Sequence, residues 1–551
     1  MLTRTRDPYS RPMAGWNFAD AWQTVAEVLP GEPALLHGDR VVSWADFDAR
    51  ADGIAAALLD AGLGEGATVA QYLGNRPEYL ESVFAAFKLG LPPVNTNYRY
   101  VEDELVYLWD NADAGAVVFE GRYGETIEGI RARVPGVRLW LWVDDGSGPC
   151  PGWAVAYEEA ATSGAPRTAS SWGRSGDSLY LLYTGGTTGM PKGVMWRNDD
   201  LLLVLNDGAP RKRKLPEEVD LDHVRSVAST PGIRTLPACP LMHGTGAFNA
   251  FTALTVGGSV VTLTGRSFDP VELLDAVEQK RVNSTAIVGD AFARPLLDAL
   301  DAEPERWDIS SLKVVVSSGV MWSQATKDGL LRHNPRMLLV DTLGSSEAIG
   351  MASSVSTGTG GGSAATATFT LGPSTRVIAD DGAEVQPGED RIGRLALKGR
   401  TPIGYFKDPV KSAETFVRIG DATYSMPGDY ARVEADGSLV LLGRGSVCIN
   451  TGGEKVFPEE VEEALKEHPA VRDAVVVGLP DERFGQAITA VVEPVPGVQP
   501  SADELIATVK AHHAHYKAPK RVVFVDSLSR AANGKVDYTR WTAHAADALA
   551  P

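Results

Sequence analysis

A segment rich in glycine and threonine follows an apolar stretch and carries one lysine, within Tyr180–Trp196. Its polar and glycine members are Thr184, Gly185, Gly186, Thr187, Thr188, Gly189 and Lys192. Glycines permit positive φ and close backbone approach, so that amide N–H groups can converge on phosphate oxygens. The hydroxyls add hydrogen-bond donors and the lysine adds a cation. The segment therefore predicts a phosphate-binding loop, although not a Walker loop, because Gly193 follows Lys192 where Ser or Thr would stand.

Single polar residues in other short segments could take part in the same chemistry. Glu347 follows two serines at the end of a predicted strand, where a carboxylate can hold a hard cation that bridges phosphates. Asp429 offers an acceptor for a vicinal diol, Arg444 a cation, and His243 a side chain that titrates near neutrality. Taken alone, each is more often structural: a solvated carboxylate, a turn residue, a surface cation or a packed histidine.

Composition limits the classes of partner. The chain has 551 residues, of which 44% are apolar and 22% charged. A prior of roughly 100–200 residues per domain predicts roughly two to four domains, and this composition rules out global disorder and a fibrous repeat. The 52 Lys and Arg against 71 Asp and Glu give a net charge of −19, which repels nucleic acid and anionic membranes. A polyanionic ligand must therefore be held by a local site.

Cysteine usage and hydropathy predict the compartment. Cys150, Cys239 and Cys448 are widely separated and form no CxxC pair, which argues against a disulfide framework or a zinc cluster. No N-terminal apolar stretch resembles a signal peptide, and no run approaches ~18 apolar residues. We therefore expect a cytoplasmic protein without an integral membrane segment. The basic run Arg211–Lys214, which acidic residues follow, is predicted to be a solvated loop rather than a nuclear signal or polyanion site.

Strand-like and helix-like segments alternate along most of the chain, which predicts parallel sheets. Arg40–Phe47 indicates a strand that leads into a helix, and Pro77–Gly90 indicates a helix closed by glycine. Near the C-terminus, helix starts at Pro458 and at Ser501 alternate with strands, which predicts a small α+β unit. A Gly-, Ser- and Thr-rich stretch before it, residues 356–368, is predicted to be a flexible loop.

The phosphate-loop segment closely resembles the signature of the adenylate-forming, or AMP-binding, superfamily, which includes acyl-CoA synthetases, luciferases and peptide-synthetase adenylation domains. Further segments match that family in its order: Pro240–Gly246, Asp341–Gly350, Gly404–Phe416, Pro427–Ser446, Asn450–Leu465 and Asn533–Tyr538. The resemblance covers nearly the whole chain. It implies a multi-domain α/β fold, with a large N-terminal domain (residues 1–444) of layered α/β subdomains plus a β-barrel. A small mobile α+β domain (445–551) would close over it.

The resemblance also implies site residues. ATP and AMP would be bound by the loop from Thr184 to Lys192 and by Gly319, Val320, Leu343, Gly344, Ser345, Asp429, Arg444 and Lys535. Lys535, Glu347, Ser346 and His243 form the implied catalytic group, and Glu347 would hold Mg²⁺. The acid and coenzyme A would contact His243, Gly244, Phe248, Asp290, Phe292, Gly452 and Gly453.

Four positions depart from the family pattern. Ser346 stands where Thr is usual and keeps the hydroxyl, and Leu343 replaces an aromatic residue that stacks on adenine. Ser446 stands at the interdomain hinge, which usually carries Asp or Lys; a hinge residue need only absorb a φ/ψ change. Ser529 replaces a proline near the mobile Lys535.

These features predict an ATP-dependent acyl-CoA ligase that uses ATP, Mg²⁺, coenzyme A and a carboxylic acid. A luciferase-like oxygenase and an acyl-AMP ligase that delivers to a carrier protein remain as alternatives. An amino-acid adenylating module is disfavoured, because no Asp or Glu lies between Leu236 and Thr255 to hold a substrate ammonium. A non-catalytic nucleotide-binding regulator is disfavoured because the implied catalytic residues are all present. The oligomeric state is left open, with a homodimer as one option.

The acyl group is predicted to be hydrophobic. The residues of His243–Ala250 are mostly small and leave volume for an apolar tail, and Phe292 is expected in the wall. Three segments, Tyr180–Trp196, Asn95–Leu105 and Leu442–Glu462, most resemble actinobacterial ligases of steroid side-chain or long-chain fatty acids. A steroid side-chain acid or a medium- to long-chain fatty acid is therefore expected over acetate or an aromatic acid.

Overall fold

The structure is a computed structural model and describes residues 15–184, 190–320, 322–358, 368–451, 454–481, 485–513, 515–530 and 536–550. Up to residue 227 its elements are α1 Phe18–Val28, β1 Pro33–His37, β2 Arg40–Ser43, α2 Trp44–Asp60, β3 Thr68–Tyr72, α3 Pro77–Leu89, β4 Pro93–Asn95, α4 Glu102–Asn111, β5 Ala114–Glu120, α5 Gly124–Ile130, β6 Leu139–Val143, β7 Val155–Ala156, α6 Tyr157–Ala161, β8 Leu179–Thr184, β9 Lys192–Arg197, α7 Asn198–Asn206 and α8 Leu221–Val227. The next are β10 Arg234–Pro237, α9 Gly244–Thr255, β11 Ser259–Thr262, α10 Pro270–Lys280, β12 Ser284–Ile287, α11 Asp290–Ala302, β13 Val314–Ser318, α12 Gln324–His333, β14 Leu338–Ser345 and β15 Ala348–Thr357.

The remaining elements divide into two groups. The first is β16 Thr368–Leu371, β17 Thr375–Ile378, β18 Gly393–Lys398, β19 Gly404–Tyr405, α13 Pro409–Thr415, β20 Phe416–Ile419, β21 Ala422–Ser425, β22 Asp429–Val433 and β23 Ser438–Arg444. The second is β24 Ile449–Thr451, β25 Glu454–Val456, α14 Pro458–Lys466, β26 Val471–Asp481, β27 Gly485–Pro494, α15 Ala502–His512, β28 Arg521–Phe524 and α16 Tyr538–Ala548.

An eight-stranded sheet carries the phosphate-loop segment, in the order β19-β9-β8-β4-β3-β5-β6-β7. From β8 to β7 the pairings are parallel, which confirms the sheet type expected from the strand–helix alternation. Helix α3 begins with Pro77 at its first turn and ends at Gly90 with φ 70°. A Cβ at Gly90 would lie 2.6 Å from the Gly173 carbonyl, so glycine is required there by both conformation and space.

A second sheet has fifteen strands, of which one part is parallel and the other antiparallel. Strands β1, β11, β10, β12, β13 and β14 pair in parallel, and β14 to β23 continue as an antiparallel meander. The fold class is confirmed, with one correction. The strands expected to form a β-barrel lie in this open sheet, because the meander continues from β14 and ends at β20. No ladder among the described residues joins β20 back to the start of the meander.

The C-terminal unit has its own five-stranded sheet, β25-β24-β27-β26 with β28 beside β27. The predicted helix starts at Pro458 and Ser501 are confirmed. Ser501 Oγ accepts from the Glu504 amide at 3.2 Å, and Glu504 Oε2 accepts from the Ser501 amide at 2.8 Å. A short 3₁₀ turn, Gly445–Val447, connects β23 to β24 and includes the predicted hinge position, Ser446.

Helix α9 connects the core to the site. Phe251, on one face, is fully buried against the aromatic core of α1 and α3, with its ring centroid 5.6 Å from Trp22 and 6.0 Å from Phe87. Another face, which includes Phe248 and Thr252, lines a cavity. No helix in the described ranges is long and apolar enough to cross a membrane.

Candidate active site

The phosphate-loop segment leaves one strand and returns along its neighbour. Thr184, the last residue of β8, is the cross-strand partner of Lys192, the first residue of β9. The antiparallel pair therefore holds both ends of the segment together. Its central residues, Gly185, Gly186, Thr187, Thr188 and Gly189, lie outside the described residues.

Tyr405 links this hairpin to the predicted metal ligand. Strand β19 pairs with β9, with Tyr405 opposite Val194. The Lys192 ammonium lies 5.9 Å from the Tyr405 ring centroid, and the Tyr405 hydroxyl donates to Glu347 Oε1 at 2.8 Å. The cation and the carboxylate therefore contact one buried tyrosine. Sequence reasoning did not single out Tyr405, although it lies in the family segment Gly404–Phe416.

Neighbouring side chains hold the segment around Glu347 in place. The Glu347 amide donates to Ser345 Oγ at 3.2 Å, and its carbonyl accepts from Ser425 Oγ at 2.6 Å. The Trp196 indole N–H donates to the Ser346 carbonyl at 2.9 Å, which connects this segment to β9. Glu347 therefore extends from a backbone turn that is fixed from both sheets.

Asn95 performs a similar task for the segment that precedes His243. Its amide nitrogen donates to the Tyr183 carbonyl at 2.8 Å and the Met242 carbonyl at 2.7 Å, and its oxygen accepts from the Tyr183 amide at 2.6 Å. One buried side chain thus joins β8 to the N-terminus of α9, where His243 is the N-cap residue. Sequence reasoning missed this role, because both partners are distant in sequence.

A cavity of about 1810 Å³ brings together twelve of the predicted residues. Its lining includes Thr184, His243, Gly244, Phe248, Gly319, Val320, Leu343, Gly344, Ser345, Ser346, Glu347 and Asp429. Asp429 is buried and is paired across the β22–β23 ladder with Arg444, of which only the backbone is described. The predicted adenine segment, Asp429 and part of the predicted acid-binding set therefore share one continuous space with Thr184, whereas Lys192 is not part of its lining.

Two residues expected to contact the acid or coenzyme A do not line this cavity. Phe292 is buried among the apolar residues of α10, α11 and α12, with its ring centroid 4.7 Å from that of Phe268. Asp290 accepts from the Ser323 amide at 3.3 Å, at the start of α12. The apolar pattern of α11 predicts that one side is buried, but among the described residues no member of α11 lines the cavity.

The C-terminal unit closes one side of the cavity. Arg530 and Val536, which lie on either side of the segment 531–535, both line it. Arg530 is held by Asp473 through two hydrogen bonds of 2.5 and 2.7 Å. Lys535, Gly452 and Gly453 lie outside the described residues, so their predicted roles stay predictions.

A buried carboxylate beside the adenine segment has an altered pKa. Asp341 is the fourth of the eight residues of β14, lines the cavity and forms an ion pair with Lys327. Burial raises the pKa of Asp341 to about 6, although the Lys327 ammonium acts in the opposite direction.

Comparisons with known proteins identify the family. The family model described as AMP-binding enzyme matches residues 22–406, and the model described as AMP-binding enzyme C-terminal domain matches residues 460–535. The chain belongs to the AMP-binding enzyme family. This AMP-binding enzyme is 40% identical over 535 residues to a 3-oxocholest-4-en-26-oate–CoA ligase of Rhodococcus rhodochrous, with 95% of each chain covered.

Two further similarities agree with this membership. The AMP-binding enzyme is 40% identical to a medium/long-chain-fatty-acid–CoA/3-oxocholest-4-en-26-oate–CoA ligase of Mycobacterium marinum, which covers 95% of this chain and 96% of the relative. Its structure is similar to ATP-bound MatB from Rhodopseudomonas palustris, with a TM-score of 0.80 and 26% identity, over 97% of this chain and all of the other.

The arrangement fits a magnesium ion that is held with a nucleotide. Magnesium is commonly bound by one or two carboxylates together with substrate phosphates. Glu347 supplies one carboxylate at the cavity wall. Within the described ranges no group of three or more His, Cys, Asp or Glu side chains could form an all-protein metal site. Glu347 therefore fits the part of a single protein ligand to such an ion.

Proposed function

We propose that this AMP-binding enzyme is an ATP-dependent acyl-CoA ligase for hydrophobic carboxylic acids. It converts a steroid side-chain acid or a medium- to long-chain fatty acid into its CoA thioester through an acyl-AMP intermediate, with release of AMP and pyrophosphate. The names of the relatives at 40% identity support the reaction and the class of acid. The domain boundaries of 1–444 and 445–551, and a homodimeric assembly, stay predictions.

The length of the cavity is the observation that supports a long acid. One side is helix α9, from Gly244 through Phe248 and Thr252 to Val256 beyond its end, a span of about 18 Å at 1.5 Å per residue. The lining also includes Val314, Val316 and other residues of β13. A space this long exceeds what acetate or a benzoate needs, whereas it accommodates an extended acyl chain or a sterol tail.

The first half-reaction joins the acid to AMP. The carboxylate oxygen attacks the α-phosphorus of ATP, the α–β phosphoanhydride bond breaks, and pyrophosphate leaves with the electron pair. Lys192 and the amides of residues 185–189 bind the phosphates, and Glu347, held by Tyr405, would hold the magnesium ion. That ion would supply charge neutralisation on the phosphates. Asp429 accepts from the ribose hydroxyls.

The second half-reaction transfers the acyl group to sulfur. The coenzyme A thiolate attacks the acyl carbon, and the bond to the AMP oxygen breaks. His243 lies between the acid carboxylate and the thiol path and serves as a gate. Rotation of the C-terminal domain about Ser446 exchanges Lys535, which serves adenylation, for Gly452 and Gly453, which line the thiol channel.

A panel of acids tests the proposed activity. Purified protein is given ATP, Mg²⁺, coenzyme A and one acid at a time, and AMP and the CoA thioester are both measured. We expect the highest kcat/KM with a steroid side-chain acid or a medium- to long-chain fatty acid. Preference for acetate or a hydroxycinnamate would contradict the acyl assignment. Acyl-AMP that forms without thioester would indicate delivery to a carrier protein, and oxygen consumption would indicate the luciferase-like alternative.

Two variants test the moving domain. Lys535→Ala should slow acyl-AMP formation by about 10²–10³, since a preorganised donor at developing charge contributes about 3–4 kcal/mol. The same variant, given acyl-AMP and coenzyme A, should form thioester at nearly the wild-type rate. A bulky residue at Gly452 should give the opposite pattern. If Lys535→Ala slows both steps alike, the residue does not serve one arrangement only.

A further inference from the structure

The end of the cavity that lies far from the phosphate-loop segment is lined by several basic and polar residues. The parallel strands β13 and β14 line the cavity at both their C-terminal and N-terminal ends, and β12 lines it at Ser284, with Val288 just beyond its C-terminal end. A five-residue strand spans about 16 Å. The cavity therefore runs the length of these strands, from the candidate active site to the opposite edge of the sheet. At that far edge its lining includes Arg213, Arg281, Asn283 and Lys313.

Arg213 and Lys313 both lack a carboxylate partner among the described residues, but Lys313 is exposed whereas Arg213 is partly buried. Arg281 is paired with Asp308 at 2.8 Å, and Lys313 donates to the Ser310 carbonyl at 2.6 Å. The Arg213 guanidinium makes no ion pair with any carboxylate in the described part of the chain, although the protein carries a net charge of −19. A positive charge therefore borders the cavity without an anionic partner from the described part of the protein.

Three hydrogen bonds fix the position of this guanidinium. Its Nη1 donates to the carbonyl of Val256, just beyond the end of α9, at 3.0 Å. Its Nη2 donates to Thr230 Oγ1 at 3.1 Å and to the Pro231 carbonyl at 3.5 Å. The Nε group makes no hydrogen bond within the described residues, so donor capacity remains. Because α9 begins beside His243, Arg213 is held about one helix length from the reacting carboxylate, at the opposite end of the acyl cavity.

We propose that Arg213 forms a second, polar recognition subsite, which binds an oxygen at the end of the acyl substrate opposite the carboxylate. This inference rests on the proposed function and narrows it to acids that carry a far-end hydroxyl or carbonyl. An all-methylene tail that reaches Arg213 would remove water from the guanidinium without replacing its hydrogen bonds. An oxygen acceptor at the same position replaces them. The basic run Arg211–Lys214 thus contributes one residue to the cavity.

Matched fatty acids test the subsite. We compare laurate, myristate and palmitate with their ω-hydroxy counterparts and measure kcat/KM for CoA thioester formation. In the wild type, the ω-hydroxy acid should be favoured about tenfold or more at the chain length that spans the cavity, as expected for a hydrogen bond to a charged donor. In Arg213→Met the ratio should fall to about one, while Arg211→Met, an exposed control from the same run, should keep the wild-type ratio.

The possible results distinguish failure of the subsite from failure of the proposed function. A ratio near one in the wild type at every chain length, or a ratio that Arg213→Met preserves, overturns the subsite. If Arg213→Met does not fold, Arg213→Gln, which keeps a donor for the Val256 carbonyl, allows the same comparison. Failure of the wild type to form thioester from any of these acids would instead refute the proposed function for fatty acids. The two hypotheses can therefore fail separately.

Discussion

Replacing Tyr405 with phenylalanine removes one hydroxyl from the centre of the candidate site and little else. The hydroxyl donates to Glu347 Oε1 at 2.8 Å, whereas the ring lies beneath the Lys192 ammonium and 5.8 Å from the Phe416 ring. A hydrogen bond to a charged group contributes about 1.5–3 kcal/mol, which corresponds to about a ten- to a hundredfold change. Tyr405→Phe should therefore slow acid-dependent ATP–pyrophosphate exchange by about tenfold or more and raise the Mg²⁺ concentration needed for half-maximal rate.

The assay separates this positioning role from a structural one. Tyr424→Phe, in β21 of the antiparallel meander, serves as the control and should leave both the rate and the Mg²⁺ dependence unchanged. A double-mutant cycle with Glu347→Gln adds the decisive comparison, because a residue that acts through Glu347 should have little further effect once that carboxylate is gone. Full additivity in the cycle, or an unchanged Mg²⁺ dependence in Tyr405→Phe, would refute the reasoning.

The remaining predictions concern the same framework. Glu347→Gln and Lys192→Ala should reduce exchange strongly with little change in Tm; parallel loss of activity and Tm would indicate structural roles. Asn95→Asp, which removes both donors to backbone carbonyls, should lower the free energy of unfolding by about 2–5 kcal/mol; urea denaturation measures this, and a loss below 1 kcal/mol contradicts it. Because the raised pKa of Asp341 stabilises the fold at low pH and this contribution disappears as pH rises through about 6, stability should fall from pH 5 to pH 7 more steeply in the wild type than in Asp341→Asn. Equal slopes in urea titrations would exclude this linkage.

Local signals were sufficient to predict several elements. The capping box at Ser501 marks the start of α15, and Gly90 marks the end of α3, because each depends on chemistry within a few residues. The closure of a sheet is a different kind of property. The sequence of a single strand does not show whether a series of antiparallel strands returns to its first strand to form a barrel. Here the antiparallel strands instead extend the parallel sheet from β14.

The contacts that complete the site lie beyond such local signals. Tyr405 is 58 positions from Glu347, and Asn95 is 88 positions from Tyr183. Their roles depend on which strands become neighbours, which is a tertiary property. Phe292 shows the same limit, because its position on α11 predicts burial but does not distinguish the apolar core from the cavity wall.

The site residues come from two different sheets, and this separation predicts which substitutions alter adenylation and which alter the preference among acids. The phosphate segment belongs to the eight-stranded sheet and Glu347 to the fifteen-stranded one, and Tyr405, Trp196 and Asn95 join the two. Substitutions at these three connecting residues should change the rate of adenylation for every acid alike, since they alter the phosphate-binding geometry that all acids share. Substitutions along the cavity face of α9, at Phe248 or Thr252, should instead change the preference among acids while the ATP requirements stay constant. If a cavity substitution shifted the KM for ATP as much as that for the acid, chemistry and acid selection would not be carried by separate parts of this fold.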